Sequence, residues 1–559
     1  MESGEYLDER KAVMEEPLLE DNDRKGGFRA LPFIIGSEGV EKMATYGLMQ
    51  NMALYLMSEY HMEMSSASTL LFLWSATSNF MPLLGAILAD SFLGRFYTIG
   101  FGSIICLMGM ILLWSTTVIP SAKPPPCSDG IACTAPTVLQ LTYLCTCFGL
   151  MSIGAGGIRS SCLAFGADQL EKGTGGFAKH GVKECYFGWY YASYTFSVLI
   201  ALTCIVYIQD NLGWSIGFAV PAVLMFFNAT SFFFASSFYV KMETKKNLVT
   251  GLFQVAVASY RNRHLRLSES TDYLCHCEPG STLLRPSQKL GFLNMACIVK
   301  DPESELTVDG EATNPWSLCT VDQVEGLKAL LRVLPIWSAG MFMAVNISQN
   351  TIPLLQAVSM DRRLGSFTIP AASFTVFMVI SVILWITLYD RVFLPIASNL
   401  KGRSFRISSM TRMGVGIFLS CLSMIVAAAV EGLRRRRATT TGSHISALWL
   451  VPQNCLSGFA EASNAIAQNE FYFSELPRSM SSIAATLTGI GLAVANIVAS
   501  LIMNAVDALS RAGGGDEDSW VSSDIDKGHY DYYYLVLAGL AAANMIYYLI
   551  CSRGYSSLH

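Results

Sequence analysis

Glu38, Glu41 and Lys42 bring two carboxylates and an ammonium into the first long apolar stretch of the chain, from Leu31 to Met57. On a helix Glu38 and Lys42 are four residues apart and Glu41 is three from Glu38, so all three project toward one broad face. An ionised side chain near the middle of a membrane-spanning helix costs roughly 2.5–3.5 kcal/mol, so three of them need a compensating use. Two acids against one base leave a negative charge in excess, which a proton entering a low-dielectric cavity can cancel. These three are therefore the proton-coupling candidates. A second pair is Arg159, directly after Gly154-Ala155-Gly156-Gly157-Ile158, and Glu461, within Ser457-Gly458-Phe459-Ala460-Glu461. One belongs to each half of the chain. Such a pair can form when a cavity closes on one side and break when a substrate or proton competes for either partner.

Polar and aromatic residues in other apolar stretches suggest solute contacts. Tyr46 lies one turn beyond Lys42, and Trp189, Tyr190, Tyr191 and Tyr194 cluster in the fifth stretch. Asn346, Ser348, Gln349 and Asn350 make the seventh stretch polar, and Pro353 predicts a bend just beyond them. Tyr46, Tyr191, Tyr194, Asn346, Gln349 and Asn350 are the substrate-binding candidates.

The elements that must position these groups follow from composition. The chain has 559 residues, 52% hydrophobic and only 14% charged, the balance of a polytopic membrane protein rather than a water-soluble enzyme. About twelve stretches are long enough to span a bilayer, among them 137 to 165, 410 to 431 and 529 to 551. The expected fold is an all-α membrane protein with twelve transmembrane helices in two six-helix bundles. Its divisions are a tail at 1–29, a bundle at 30–240, a linker at 241–325, a second bundle at 326–552 and a short tail at 553–559. Two bundles around a central site suit rocking of one against the other. No cleavable signal peptide is expected, since a hydrophilic stretch of some thirty residues precedes the first span.

Charge distribution orients the chain. Arg10, Lys11, Arg24, Lys25 and Arg29 mark the amino-terminal side as cytosolic, and an even number of spans returns the carboxyl terminus there. Arg434 to Arg437 disagree, because they fall between the ninth and tenth spans on the expected outer side. Gly85 to Arg95 joins the second and third spans, where Asp90 and Arg95 can bond across helix ends as a gating loop. Tyr389-Asp390-Arg391 echoes it in the second half. Leu248 to Arg266 is basic and partly amphipathic, suited to a membrane surface. Cys127 and Cys133, in a polar Pro-rich segment expected outside, are the disulfide candidates. Cys275-His276-Cys277 has no second ligand pair at zinc-site spacing, so no metal is expected. A P-loop, an H-e-x-x-H pattern and a G-x-S-x-G elbow are all absent, which argues against ATP-driven pumping and against an enzyme. Neither a cofactor nor a nucleic-acid partner is expected; the partners are a solute, protons and the lipid bilayer.

Together these residues resemble the plant nitrate transporter 1/peptide transporter family, a branch of the proton-coupled oligopeptide transporters in the major facilitator superfamily. The most specific marker is the E-x-x-E-[R/K] pattern at Glu38 to Lys42. Gly154 to Gln169, Ser359 to Arg362, Ile369 to Ser373 and Val451 to Gln453 also resemble the family. The resemblance implies that Glu38 and Glu41 take the coupling proton, that Lys42 tunes them, and that Arg159 and Glu461 form an inter-bundle salt bridge. A lysine usual in the family's fourth span is Arg159 here, and arginine keeps its charge in a protein. A histidine that binds nitrate in some members aligns with Asn346, which donates hydrogen bonds but brings no proton. Tyr194 and Phe196 are bulky where small residues are common, which disfavours a peptide. The expected activity is proton-coupled symport of nitrate or another small anion, with plant hormones, glycosylated metabolites and peptides as rival substrates and a non-transporting receptor as the rival class. Thr98 matches a position phosphorylated in one branch of the family, implying a regulatory kinase. The expected location is the plasma membrane, with the tonoplast as the alternative.

Overall fold

A computed structural model describes residues 26–127, 134–173, 180–240, 248–264, 275–277, 285–307, 311–401, 407–477, 480–513 and 519–555. Six long helices precede the linker: α1 (Leu31–Ser58), α2 (Met64–Leu88), α3 (Arg95–Val118), α4 (Val138–Gly173), α5 (His180–Ile200, running through a π-turn into Val206–Leu212) and α6 (Trp214–Phe234). Six follow it: α7 (Val321–Ile347, resuming at Thr351–Val358), α8 (Val376–Leu388), α9 (Ser409–Thr441), α10 (Val451–Glu475), α11 (Ser481–Gly513) and α12 (Tyr530–Gly554). Among the described residues, ten of these helices are long and apolar enough to cross a membrane. The two that fall short, α1 and α10, carry Glu38, Glu41, Lys42 and Glu461. Their low hydropathy is the cost of the polar site.

Glycines set how closely the first-half helices approach. A β-carbon on Gly154 of α4 would collide with the backbone of Gly102 and Cys106 on α3. One on Gly156 would collide with Met81 of α2, and one on Gly85 would lie 2.7 Å from the Gly156 carbonyl. The glycine run therefore wedges α4 between α2 and α3 and fixes where Arg159 projects.

Helix ends also depart from the apolar boundaries. A capping box at Thr320 and Gln323 starts α7 at Val321, where the two residues exchange bonds of 3.0 and 3.3 Å. The interruption of α7 at 348–350 falls just before Pro353. With no N–H, Pro353 leaves the Gln349 carbonyl without its helical donor, so the break precedes the proline instead of following the polar residues.

The arginines at 434–437 belong to the last turns of α9, which runs ten residues past the expected end at 431. Arg434 is buried and its guanidinium donates to both oxygens of Glu431 (2.9 and 2.8 Å), to Asp526 (2.5 Å) and to the Ile525 carbonyl (3.0 Å). Gln356 of α7 donates to Glu431 at 2.8 Å and accepts from Tyr534 of α12 at 3.1 Å. Arg434 is thus spent inside the protein, while Arg436 and Arg437 stay exposed and keep the conflict with the orientation rule.

The halves are fastened at the end away from the linker. The Met64 amide donates to Ser523 (3.0 Å), Asn504 of α11 to Thr69 of α2 (2.9 Å), and Arg511 pairs with Glu63 (2.8 Å). Ser373 donates to the Leu202 carbonyl at 2.8 Å. A hairpin of Arg363–Leu364 and Phe367–Thr368 stacks Phe367 on Tyr207 of α5. Beneath these bonds Met64 and Phe72 of α2 share one apolar cluster with Ala495, Ala499 and Met503 of α11.

Because backbone atoms face Gly154, Gly154→Val has no side chain to displace. It is expected to destabilise the protein by about 1–3 kcal/mol through overpacking. The thermal midpoint of the detergent-solubilised protein checks this, against Gly149→Val, where an added β-carbon meets nothing within 4 Å.

Candidate functional site

One helical face of α1 carries the charges, as the three- and four-residue spacing requires. Glu41 is 0% exposed. The Arg159 guanidinium of α4 grips it in bidentate fashion, Nε to Oε2 at 3.0 Å and Nη2 to Oε1 at 2.8 Å. Thr45, one turn on, donates its hydroxyl to the same Oε1 at 2.8 Å. Glu38 and Lys42 are buried beside this pair, their charged atoms 3.8 Å apart. Glu38 Oε2 is buried with no hydrogen-bond partner among the described residues. The Lys42 ammonium lies 5.1 Å from the centre of the Tyr194 ring, in cation–π reach. The Tyr194 hydroxyl meets that of Tyr46 at 3.2 Å.

A cavity of about 290 Å³ lies between the two halves. Thr45, Tyr46, Arg159 and Tyr194 line it from the first half; Asn350, Glu461 and Asn496 line it from the second. Leu71, Phe72, Val198, Leu202, Met378 and Val379 add apolar surface to the lining, alongside further polar residues such as Gln50, Asn79, Ser348 and Thr375. Glu461 faces it without a hydrogen bond or ion pair to any described residue.

The expected Arg159–Glu461 salt bridge is not formed in this conformation. Both side chains line the same cavity, but Arg159 is spent on Glu41, which α1 presents at bidentate distance in the same bundle. Tyr191 shares the cavity stripe of α5, yet it sits one turn nearer the linker, outside the lining, and is 60% exposed. Asn346 and Gln349 are also displaced from the expected place. Asn346 donates to Ser420 at 3.0 Å and Gln349 accepts from Tyr533 at 3.0 Å, both beside a separate cavity of about 30 Å³ inside the second half. Only Asn350 of the three reaches the central cavity, because the break in α7 turns it there.

Arg95 reaches Asp90 at 3.4 Å and also Asp168 of α4 at 2.5 Å, so the gating-loop arginine ties the start of α3 to α4. Thr98 is buried and its hydroxyl donates to the Gly94 carbonyl at 3.0 Å. Cys127 is disulfide-bonded, while Cys133 lies outside the described residues. Sequence reasoning missed Thr45, Asp168 and Asn496. Thr45 was within reach, since it stands four residues after Glu41 on the same face; Asn496 had no local signal to set it apart from the other polar residues of α11, such as Thr488, Ser500 and Asn504.

Two six-helix halves around a charged cavity define a transporter of the major facilitator type. The chain belongs to the POT family, in its NRT1/PTR branch: the POT family model matches residues 96–521. It is 50% identical to protein NRT1/PTR family 1.1 of Arabidopsis thaliana, covering 99% of this chain and 96% of that one. It is also 50% identical to protein NRT1/PTR family 1.2 of the same plant, over 96% and 91%. Among solved structures it is similar to an auto-inhibited POT family peptide transporter, with a TM-score of 0.70 at 22% identity over 95% of this chain and 98% of that one. The family comprises transporters of small-molecule or peptide substrates, not enzymes.

Removing Arg159 leaves the Glu41 carboxylate buried without its cation. Arg159→Ala is expected to cost roughly 3–5 kcal/mol, and adding Glu41→Gln is expected to recover most of the loss. Thermal midpoints of the single and double variants measure the coupling.

Proposed function

We propose that the protein is a proton-coupled secondary active transporter, a symporter working by alternating access, for nitrate or another small anionic solute. The observation that carries this reading is the unequal sharing of one cation: Arg159 is held by Glu41 while Glu461 faces the same cavity without a partner among the described residues. A proton arriving on Glu41 turns an acceptor oxygen into an O–H and removes the charge that holds the guanidinium. Arg159 keeps its own charge throughout. It is then free to take a bound anion by bidentate hydrogen bonds, or to meet Glu461 as the halves close at the linker end. Glu38, with one oxygen unpartnered among the described residues, offers a second proton position, and Lys42, 3.8 Å away, tunes it. The fastened far end is consistent with a conformation that faces the linker side, as is the exposure of Tyr191 on the cavity stripe.

The amino-terminal arginines and lysines favour a cytosolic linker and termini, with the plasma membrane as the site of action. The bundle boundaries at 30–240 and 326–552 belong to this reading. So does a regulatory kinase at Thr98, which needs the start of α3 to open before its hydroxyl is accessible.

A second substrate reading rests on the apolar surface of Leu71, Phe72, Val198, Leu202, Met378 and Val379. It suits an organic anion with an apolar body, such as a carboxylate hormone, better than it suits bare nitrate.

Uptake of labelled nitrate by oocytes at an outside pH of about 5.5 is expected to exceed that at about 7.5 several-fold, bracketing carboxylate titration in a buried site. Glu41→Gln should abolish the difference. Equal accumulation at both values, unchanged in the variant, rules out proton coupling. Competition by gibberellin, a glucoside or a dipeptide then ranks the substrates.

A further inference from the structure

The linker is stitched to the start of α7 by a short strap. His276 donates its amide to the Cys297 carbonyl and accepts at its own carbonyl from Val321, both at 2.9 Å. Cys319 donates to the Ala296 carbonyl at 2.8 Å. The linker helix Leu248–Arg261 and the turn Gly291–Ala296 pack over this junction around Val255, Ala258, Leu293 and Val324. The strongest fastening is Ser287. Its amide donates to Glu325 Oε1 at 2.7 Å and its hydroxyl to Glu325 Oε2 at 3.0 Å. Its carbonyl accepts from the Lys328 ammonium at 2.7 Å and from Asn294 at 3.1 Å. Lys328 is 0% exposed and pairs with Glu325 at 2.8 Å.

We propose that Ser287 is a phosphorylation site, and that its modification unfastens the linker from α7. Three features support it. Ser287 is partly exposed in a segment without helix or strand, which a kinase groove can take as an extended peptide. Arg285 and Lys289 flank it, both exposed, a basic pattern complementary to an acidic groove. Its hydroxyl oxygen abuts a carboxylate, so the charge added has an immediate consequence. The transfer forms a bond between Oγ and the γ-phosphorus of ATP, releases ADP and gives the hydroxyl proton to solvent. The product carries about −1.5 to −2 charges beside Glu325. Lys328 is shared: its ammonium meets Glu325 at 2.8 Å and the Ser287 hydroxyl at 3.3 Å, so after modification one cation faces both the carboxylate and the phosphate. The like charges separate, and the first turns of α7 lose the strap. Since α7 also lines the cavity at Ile347, Ser348 and Asn350, the modification reaches the transport cycle.

The proposal rests on the reading that places the linker on the ATP-containing side of the membrane. The test uses the full chain expressed in plant cells with phosphatase inhibitors, followed by peptide mass spectrometry across Ser287. Phosphate on Ser287 is expected, absent in Ser287→Ala. Amide hydrogen exchange of the purified protein at residues 287–296 is expected to run roughly tenfold faster before phosphatase treatment than after it. Ser287→Glu should reproduce the fast exchange, and Glu325→Gln added to it should restore slow exchange. A purely structural serine would show no such rescue. An unmodified Ser287, or a phosphorylated one with unchanged exchange, overturns the proposal. Labelling of Lys289→Cys by an impermeant thiol reagent on intact cells would overturn the orientation as well, which separates the two failures.

Discussion

The bidentate bond between Arg159 and Glu41 is the constraint on which the first bundle depends. It places a full charge pair where water is scarce, and such a pair holds only if its geometry is good and its remaining lone pairs are met. The glycine wedge of α4 supplies the approach, and Thr45 meets the carboxylate from its own helix. A different distance between α4 and its neighbours would leave two unpaired charges instead of one pair. The site thereby selects the packing around it as much as the packing builds the site.

Alternation requires that this bond be strong and yet replaceable. A charge pair broken by heat alone would leak, and one that never broke would stall. Glu461 lines the same cavity from the other half and, in the proposed function, would take the guanidinium on release from Glu41. The second half has its own permanent counterpart in Glu431 and Arg434. There Gln356, itself held by Tyr534, donates to Glu431, Asp526 accepts from Arg434, and that pair is three residues apart on one helix. It stiffens the end of α9 near the fastened side, whereas the first pair spans two helices and faces the cavity.

The charged face of α1 was legible because helical spacing alone brings Glu38, Glu41 and Lys42 together, and the same holds for the helices themselves. What pairs with what was not. Arg159 and Glu461 have the right signs on the right halves, but Arg159 is held by Glu41 within its own half. Asn346 and Gln349 look like ligands in a list of polar residues, yet the break at 348–350 turns Ser348 and Asn350 to the central cavity and leaves those two beside a separate one. Arg434 counted as an outside charge in sequence because nothing local announces Asp526, 92 residues away. Burial and long-range pairing are properties of the packed chain, so they surface only with coordinates.

The pairing of Glu41 with a residue 118 positions later also bears on how the protein is made. α1 enters the bilayer with its carboxylates and ammonium before α4 has been synthesised, and Lys42 is then the only cation that the charged face of α1 itself supplies. Until Arg159 arrives, the helix stays near the translocon or pairs loosely, since lipid solvates the excess charge poorly. Assembly of the first bundle is therefore set by the arrival of its fourth helix. The electrostatic debt that Arg159 settles in the finished bundle is therefore outstanding while its first three helices are made.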